Sequence, residues 1–207
     1  MKKLIFAAAL ACAPLLAAAG LDEDVRALQG EWERIKYLRP AAEHEKAFET
    51  LTRSADEVRA RHAGRAEPQI WYGIIAASYA GARGGLGALS TVKEAKKALE
   101  TALAIDAGAL EGSAYTTLGS LYYQVPGWPI GFGDDAKARA LLQKALAMNP
   151  DGIDANYFYG DFLYRKGETD GARQALARAL KAPPRPERPL ADEGRRKEIE
   201  SLLAALR

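Results

Sequence analysis

The side chains best suited to acid–base or metal chemistry are His44 and His62, which stand 18 residues apart with no third ligand at metal spacing. They read as solvated helix residues. Gly81 to Thr91 is rich in glycine but lacks the Gly-Lys-Ser/Thr ending that cradles a phosphate and brings a lysine to it. Gly85-Leu86-Gly87 follows a helical run rather than a strand, so a dinucleotide fingerprint is unsupported. No serine occupies a Gly-x-Ser-x-Gly elbow. The single cysteine, Cys12, falls in an apolar N-terminal run, and a chain processed after that run has no thiol nucleophile, disulfide or thiolate metal site. Asp134, Asp135, Glu168 and Asp170 fall at expected helix starts, where capping free amides or favouring the helix dipole accounts for them. These patterns predict no catalytic residue, no cofactor and no metal, and the chain is not expected to be an enzyme.

The charges are no more specific. Arg53, Arg59, Arg61 and Arg65 alternate with acids along one helix and beyond it, while Arg185, Arg188, Arg195, Arg196 and Lys197 flank a proline-rich connector. Both clusters read as solvated faces or ion pairs rather than nucleic-acid sites. Across 207 residues, 48% hydrophobic and 27% charged content fits a globular chain and argues against a disordered or polytopic membrane protein. Of 29 basic residues two, Lys2 and Lys3, lie in the N-terminal segment, which leaves 27 against 27 acidic ones and no overall field for nucleic acid or anionic membrane.

That segment, MKKLIFAAALACAPLLAAAG, has two lysines, an apolar run and small residues ending in Ala17-Ala18-Ala19. It predicts a bacterial-type secretory signal peptide over 1–19 and a periplasmic mature protein. The run from Leu4 to Ala19 is shorter than the roughly 20 residues a spanning helix needs and contains Pro14, so no integral span is expected in the mature form. Leu10-Ala11-Cys12 partly resembles a lipoprotein box. The leucine is one place too close to the cysteine, however, and apolar residues follow where a polar tether belongs, so an outer-membrane lipoprotein is the lesser alternative.

From Leu21 onward apolar residues recur at helical spacing and alternating β-branched runs are almost absent, which predicts an all-α domain over 20–207. The expected helices are 22–38, 42–63, 68–81, 91–105, 112–123, 134–148, 153–166, 169–181 and 190–206. Short polar or Gly/Pro links make antiparallel neighbours the default. Tyr159-Gly160, Leu163, Gly167, Ala172, Leu176, Ala179 and Pro184 form one gap-free repeat over 153–184, at a period of about 34 residues. Tyr115, Leu118-Gly119, Tyr122, Ala138, Leu142, Ala145 and Pro150 form a second over 112–150. Its step from Tyr122 to Ala138 is 16, against 9 from Leu163 to Ala172, so the turn holds seven extra residues. Tyr72, Ile75, Ala76, Tyr79, Ala95, Leu99 and Ala102 repeat that pattern 43 residues earlier, over 69–107. Trp32, Ile35, Ala47, Phe48 and Leu51 suggest a degenerate hairpin over 22–63. Small side chains at fixed offsets, with Gly119 and Gly160 at the crossings, let paired helices approach closely.

These residues resemble the tetratricopeptide repeat family over most of the mature chain. The resemblance implies an α-solenoid of antiparallel helix pairs whose first helices line a concave face that holds a peptide or protein. A narrower likeness, carried by Leu118 to Tyr123, the Pro/Gly-rich insertion, Gly133-Asp134 and Lys137-Ala138, is to the periplasmic T-components of tripartite ATP-independent transporters. That likeness implies an accessory of solute uptake that holds a small ligand or acts beside a substrate-binding protein.

In the repeat register, the groove positions are Gly73, Ala77, Ala80 and Gly81; Thr116, Ser120, Tyr123 and Gln124; and Asp154, Tyr157, Asp161, Tyr164 and Arg165. One end is small, the other aromatic and polar. Tyrosines suit an extended chain, since each supplies apolar area and a polar tip at low entropy cost. Tyr123 and Tyr157 are as readily packing residues as groove residues, whereas Tyr164 is expected in the groove. The insertions 81–89 and 125–133 should share one edge of the solenoid. The second either packs against its neighbour or presents a ligand-binding rim; packing is favoured, because exposing Trp128, Ile130 and Phe132 disfavours solubility, with Trp128 closing one end of a pocket. The helix at 190–206 should cap the last repeat. The expected function is that of an exported, non-catalytic scaffold, with Thr116, Ser120, Tyr123, Trp128, Tyr157, Asp161, Tyr164 and Arg165 as candidate partner contacts.

Overall fold

The computed structural model describes residues 13–206, with side chains from Gly20 onward. Cys12 and the start of the predicted leader lie outside the described residues. Among those described there are nine α-helices and no strand: α1 (Ala13–Leu38), α2 (His44–Arg61), α3 (Ala66–Arg83), α4 (Leu89–Ile105), α5 (Ala109–Gln124), α6 (Asp135–Met148), α7 (Ile153–Arg165), α8 (Thr169–Leu180) and α9 (Pro189–Ala205). Three-residue 3-10 turns precede α2 and α4. The core stripe of α1, Leu21, Val25, Leu28, Trp32 and Ile35, has the 4-3-4-3 spacing of a helix that buries one face.

The hairpins α3/α4, α5/α6 and α7/α8 share one packing device. Ala95-Leu99-Ala102, Ala138-Leu142-Ala145 and Ala172-Leu176-Ala179 are the same Ala-Leu-Ala stripe on successive second helices, and every member is fully buried. Each leucine seats on a glycine of the paired first helix. A Cβ added at Gly119 would lie 2.8 Å from the Leu142 side chain, and one at Gly160 2.8 Å from Leu176. In α3/α4 the seat is Gly73, 2.6 Å from Leu99 by the same measure, one turn earlier than the repeat register places it. Gly73 is therefore a helix-crossing residue and not a groove residue. Ala80, also expected in the groove, is 2% exposed and belongs to the core.

The hairpins stack so that α3 meets α5 and α5 meets α7, with α1 beside α3. These four helices form the concave face. The α9 helix packs on α8 and α7, as a cap would, and Ile199 is fully buried there. It also reaches α1. Tyr37 of α1 lies so close to Gly194 that a Cβ on that glycine would fall 2.3 Å from the ring. The superhelix is thus closed into a ring rather than left as an open arc. At the start of α5, Leu110, Glu111 and Gly112 have φ of 48°, 55° and 77°, so the right-handed helix begins after them. For the two side-chain-bearing residues this left-handed conformation is strained.

Candidate functional site

The inner faces of α1, α3, α5 and α7, together with the 183–188 connector and α9, enclose a cavity of about 910 Å³. The helical period sets its walls. Ser113, Thr116, Thr117 and Ser120 put a row of hydroxyls on α5, and Asp154, Tyr157, Phe158, Asp161 and Arg165 form one stripe of α7. The Ser120 hydroxyl donates to the Thr117 carbonyl at 2.8 Å. Asp161 accepts from the Tyr123 hydroxyl at 2.6 Å and from Arg165 Nε at 3.0 Å. Burial, and then the adjacent Asp161 carboxylate, push the Tyr123 phenol well above its ordinary range.

Asp154 accepts from Arg185 Nη1 and Arg195 Nε, both at 2.8 Å. Burial works to raise its pKa, but the charges of Arg195, Arg185 and Arg188 outweigh it and hold the carboxyl well below the usual carboxylate range. An aromatic group from α1 and α3 also lines the cavity. Trp32 meets Tyr37 edge-on at 5.9 Å and Trp71 at 6.2 Å, and its indole N–H donates to Ser78 Oγ at 2.8 Å. The Tyr37 hydroxyl and the Trp71 indole N–H are buried without a partner among the described residues. Burial drives the Tyr37 phenol above its ordinary range.

Of the residues expected to contact a partner, Thr116, Ser120, Tyr157, Asp161 and Arg165 line this cavity, as do Ala77, Gly81, Gln124 and Asp154. Tyr123 does not. Its ring packs 5.6 Å from Phe162 and only its hydroxyl reaches the stripe, through Asp161. Tyr164, expected in the groove, is 38% exposed and lies outside the lining. The Trp128 loop also departs from expectation. Trp128 is 90% exposed and Ile130 53%, and neither lines the cavity, so the tryptophan does not close it. The loop instead shuts on its own backbone, with Gly133 N donating to the Pro126 carbonyl at 2.9 Å and Gly131 N to Gly127 at 3.1 Å. Of its three large apolar residues Phe132 turns inward, onto Tyr122 at 5.4 Å.

The histidines are also corrected. His62 is mostly buried and shares a 2.8 Å hydrogen bond with Asp24, while His44 Nε2 meets the Arg39 carbonyl at 3.0 Å. Nor is one end of the groove small, since Trp32, Phe48 and Trp71 stand beside Ala77 and Gly81. Trp71 escaped the repeat arithmetic because it precedes the register position Tyr72. The signal lay in α3 itself, whose run Ile-Trp-Tyr-Gly-Ile-Ile-Ala-Ala leaves no polar face and so implies burial on both sides.

The model of the tetratricopeptide repeat family matches residues 130–191, a stretch that contains the gap-free repeat. Over residues 130–191 the chain is similar to tetratricopeptide repeats. A solved structure described as a functional characterization of Pseudomonas aeruginosa pilF covers 92% of this chain and 90% of its own length, at 14% identity and a TM-score of 0.38. No curated protein matches the chain. The tetratricopeptide repeat is a protein-interaction scaffold and in general non-catalytic. Among the described residues, no group of three His, Cys, Asp or Glu could hold a metal ion, and no helix is long and apolar enough to cross a membrane.

Proposed function

We propose that this repeat protein is an exported, non-catalytic scaffold that holds an extended segment of a partner protein in its concave cavity. One observation carries the reading: the hydroxyl row of α5 and the charged and aromatic stripe of the neighbouring α7 together line a cavity of about 910 Å³. Hydroxyls and carboxylates offer partners to a peptide backbone, and the aromatic faces offer apolar area for its side chains. The predicted leader supports export to the periplasm. To test the reading, the tagged protein is captured from its native extract and examined by native mass spectrometry. A co-purifying protein that is lost with Thr116→Trp, which fills the cavity, supports it. Capture unaffected by that variant places the partner elsewhere.

A second reading is favoured by the closure of the ring. A chamber with α9 on one side falls within the roughly 300–1,000 Å³ of small-molecule sites, which suits an accessory of a periplasmic solute-uptake system. A small molecule in the captured species, displaced in Thr116→Trp, is the outcome that reading requires.

A further inference from the structure

Two carboxylates of the repeat body, Glu33 on α1 and Asp154 on α7, have no cationic partner from the body among the described residues. Their partners come from the C-terminal arm. Arg188 Nε donates to Glu33 at 2.6 Å, while Arg185 and Arg195 converge on Asp154. Each carboxylate is matched with an aromatic plate. The Arg188 guanidinium lies 5.1 Å from the Trp71 ring centroid, and that of Arg195 4.2 Å from the Tyr157 centroid. A carboxylate beside an aromatic face is a subsite for arginine rather than lysine, because the planar guanidinium stacks and hydrogen-bonds at once. The body therefore holds two arginine subsites.

The arm approaches them as a ligand would. Residues 182–185 have no regular secondary structure, and Pro183, Pro184 and Pro186 restrain the path and donate no backbone hydrogen bonds. Arg185 binds Asp192 through its backbone N–H and its Nε, both at 2.7 Å, which pre-forms the arm before it docks. We propose that 183–195 is a tethered pseudo-ligand, and that the track it occupies takes a segment of a partner protein in which a proline-containing stretch leads into helical turns, with two arginines at the positions of Arg188 and Arg195. This rests on the reading of the cavity as a partner groove.

The test uses the full chain and a synthetic peptide of sequence APPRPERPLADEGRR, copied from 182–196. A second peptide replaces every arginine by lysine. Binding is read by fluorescence anisotropy and displacement by hydrogen exchange on the unaltered protein. The arginine peptide should bind about tenfold tighter than the lysine peptide and should speed exchange of the 183–195 amides about fivefold or more. Arg188→Gln, which frees the Glu33–Trp71 subsite, should tighten peptide binding about fivefold. Equal binding of the two peptides, or binding with no release of the arm, overturns the proposal. If native capture still depends on Thr116 when the arginine peptide fails, the groove reading stands and only the arginine specificity falls. If neither effect is seen, both fall.

Discussion

Arg188 and Glu33 are 155 residues apart in sequence and 2.6 Å apart in space, with side chains only 13% and 8% exposed. A pair this dry differs from a surface ion pair, because removing one partner strands the other charge away from water. Glu33→Leu should therefore lower stability by about 3 kcal/mol, whereas Glu33→Leu combined with Arg188→Leu should lose less than the sum of those two single changes. Urea unfolding of the four proteins in the cycle checks this. Strict additivity would mean that the contact contributes no coupling.

The glycines of the hairpin crossings should respond oppositely to one in open space. A Cβ at Gly160 meets Leu176 at 2.8 Å, while one at Gly81 meets nothing within 4 Å. Gly160→Ala should cost about 1–2 kcal/mol, overpacking outweighing the gain in helix propensity. Gly81→Ala should gain up to about 1 kcal/mol. Denaturant midpoints shifting in the same direction would contradict the packing described.

Asp154 sets an acid dependence. Its carboxyl is held below its ordinary value of 3.8, so its pairing stabilises the fold above that value and is lost progressively as pH falls towards the lower, folded-state value. Asp154→Asn should be less stable than the parent at neutral pH, and its stability should fall less steeply below about pH 4. Thermal melts across the acid range test the slope. Parallel profiles for parent and variant would remove Asp154 from the account.

Trp128 should be dispensable for folding. With 90% of its surface exposed, Trp128→Ser should change stability by no more than about 0.5 kcal/mol while removing the most water-exposed tryptophan emission. A large drop in melting temperature would show that the loop packs after all.

What the sequence made legible follows from which residues repeat. The Ala-Leu-Ala stripes recur with constant internal spacing, and each reports a helix pair at van der Waals contact, so the all-α solenoid and its hairpins could be read from them. Thr116, Ser120, Tyr157, Asp161 and Arg165 were reachable for the same reason, since an inward stripe follows once a register is known. Gly73 misled because the first seat slides by one turn, a shift that leaves apolar periodicity unchanged. Trp128 misled because solubility arguments weigh a side chain and not the backbone hydrogen bonds that hold its loop closed on itself. The arginines of 185–195 were legible as ion-paired residues, but their partners Glu33 and Asp154 belong to distant elements. Only ring closure brings Glu33 to them, and nothing in local spacing encodes that closure.

The meeting of α9 with α1 also changes how the molecule can come apart. In an open array each repeat leans only on its neighbours, and the terminal ones fray at small energetic cost. Here the two termini of the array are each other's neighbours, and no repeat is left at a loose end. Opening must begin by rupturing a seam, and once that seam is broken both sides of the gap lose a partner together. In the absence of a competing ligand the chain should therefore unfold in one step, with amides of α1 and of α9 beyond Arg195 exchanging as slowly as those of the central hairpins.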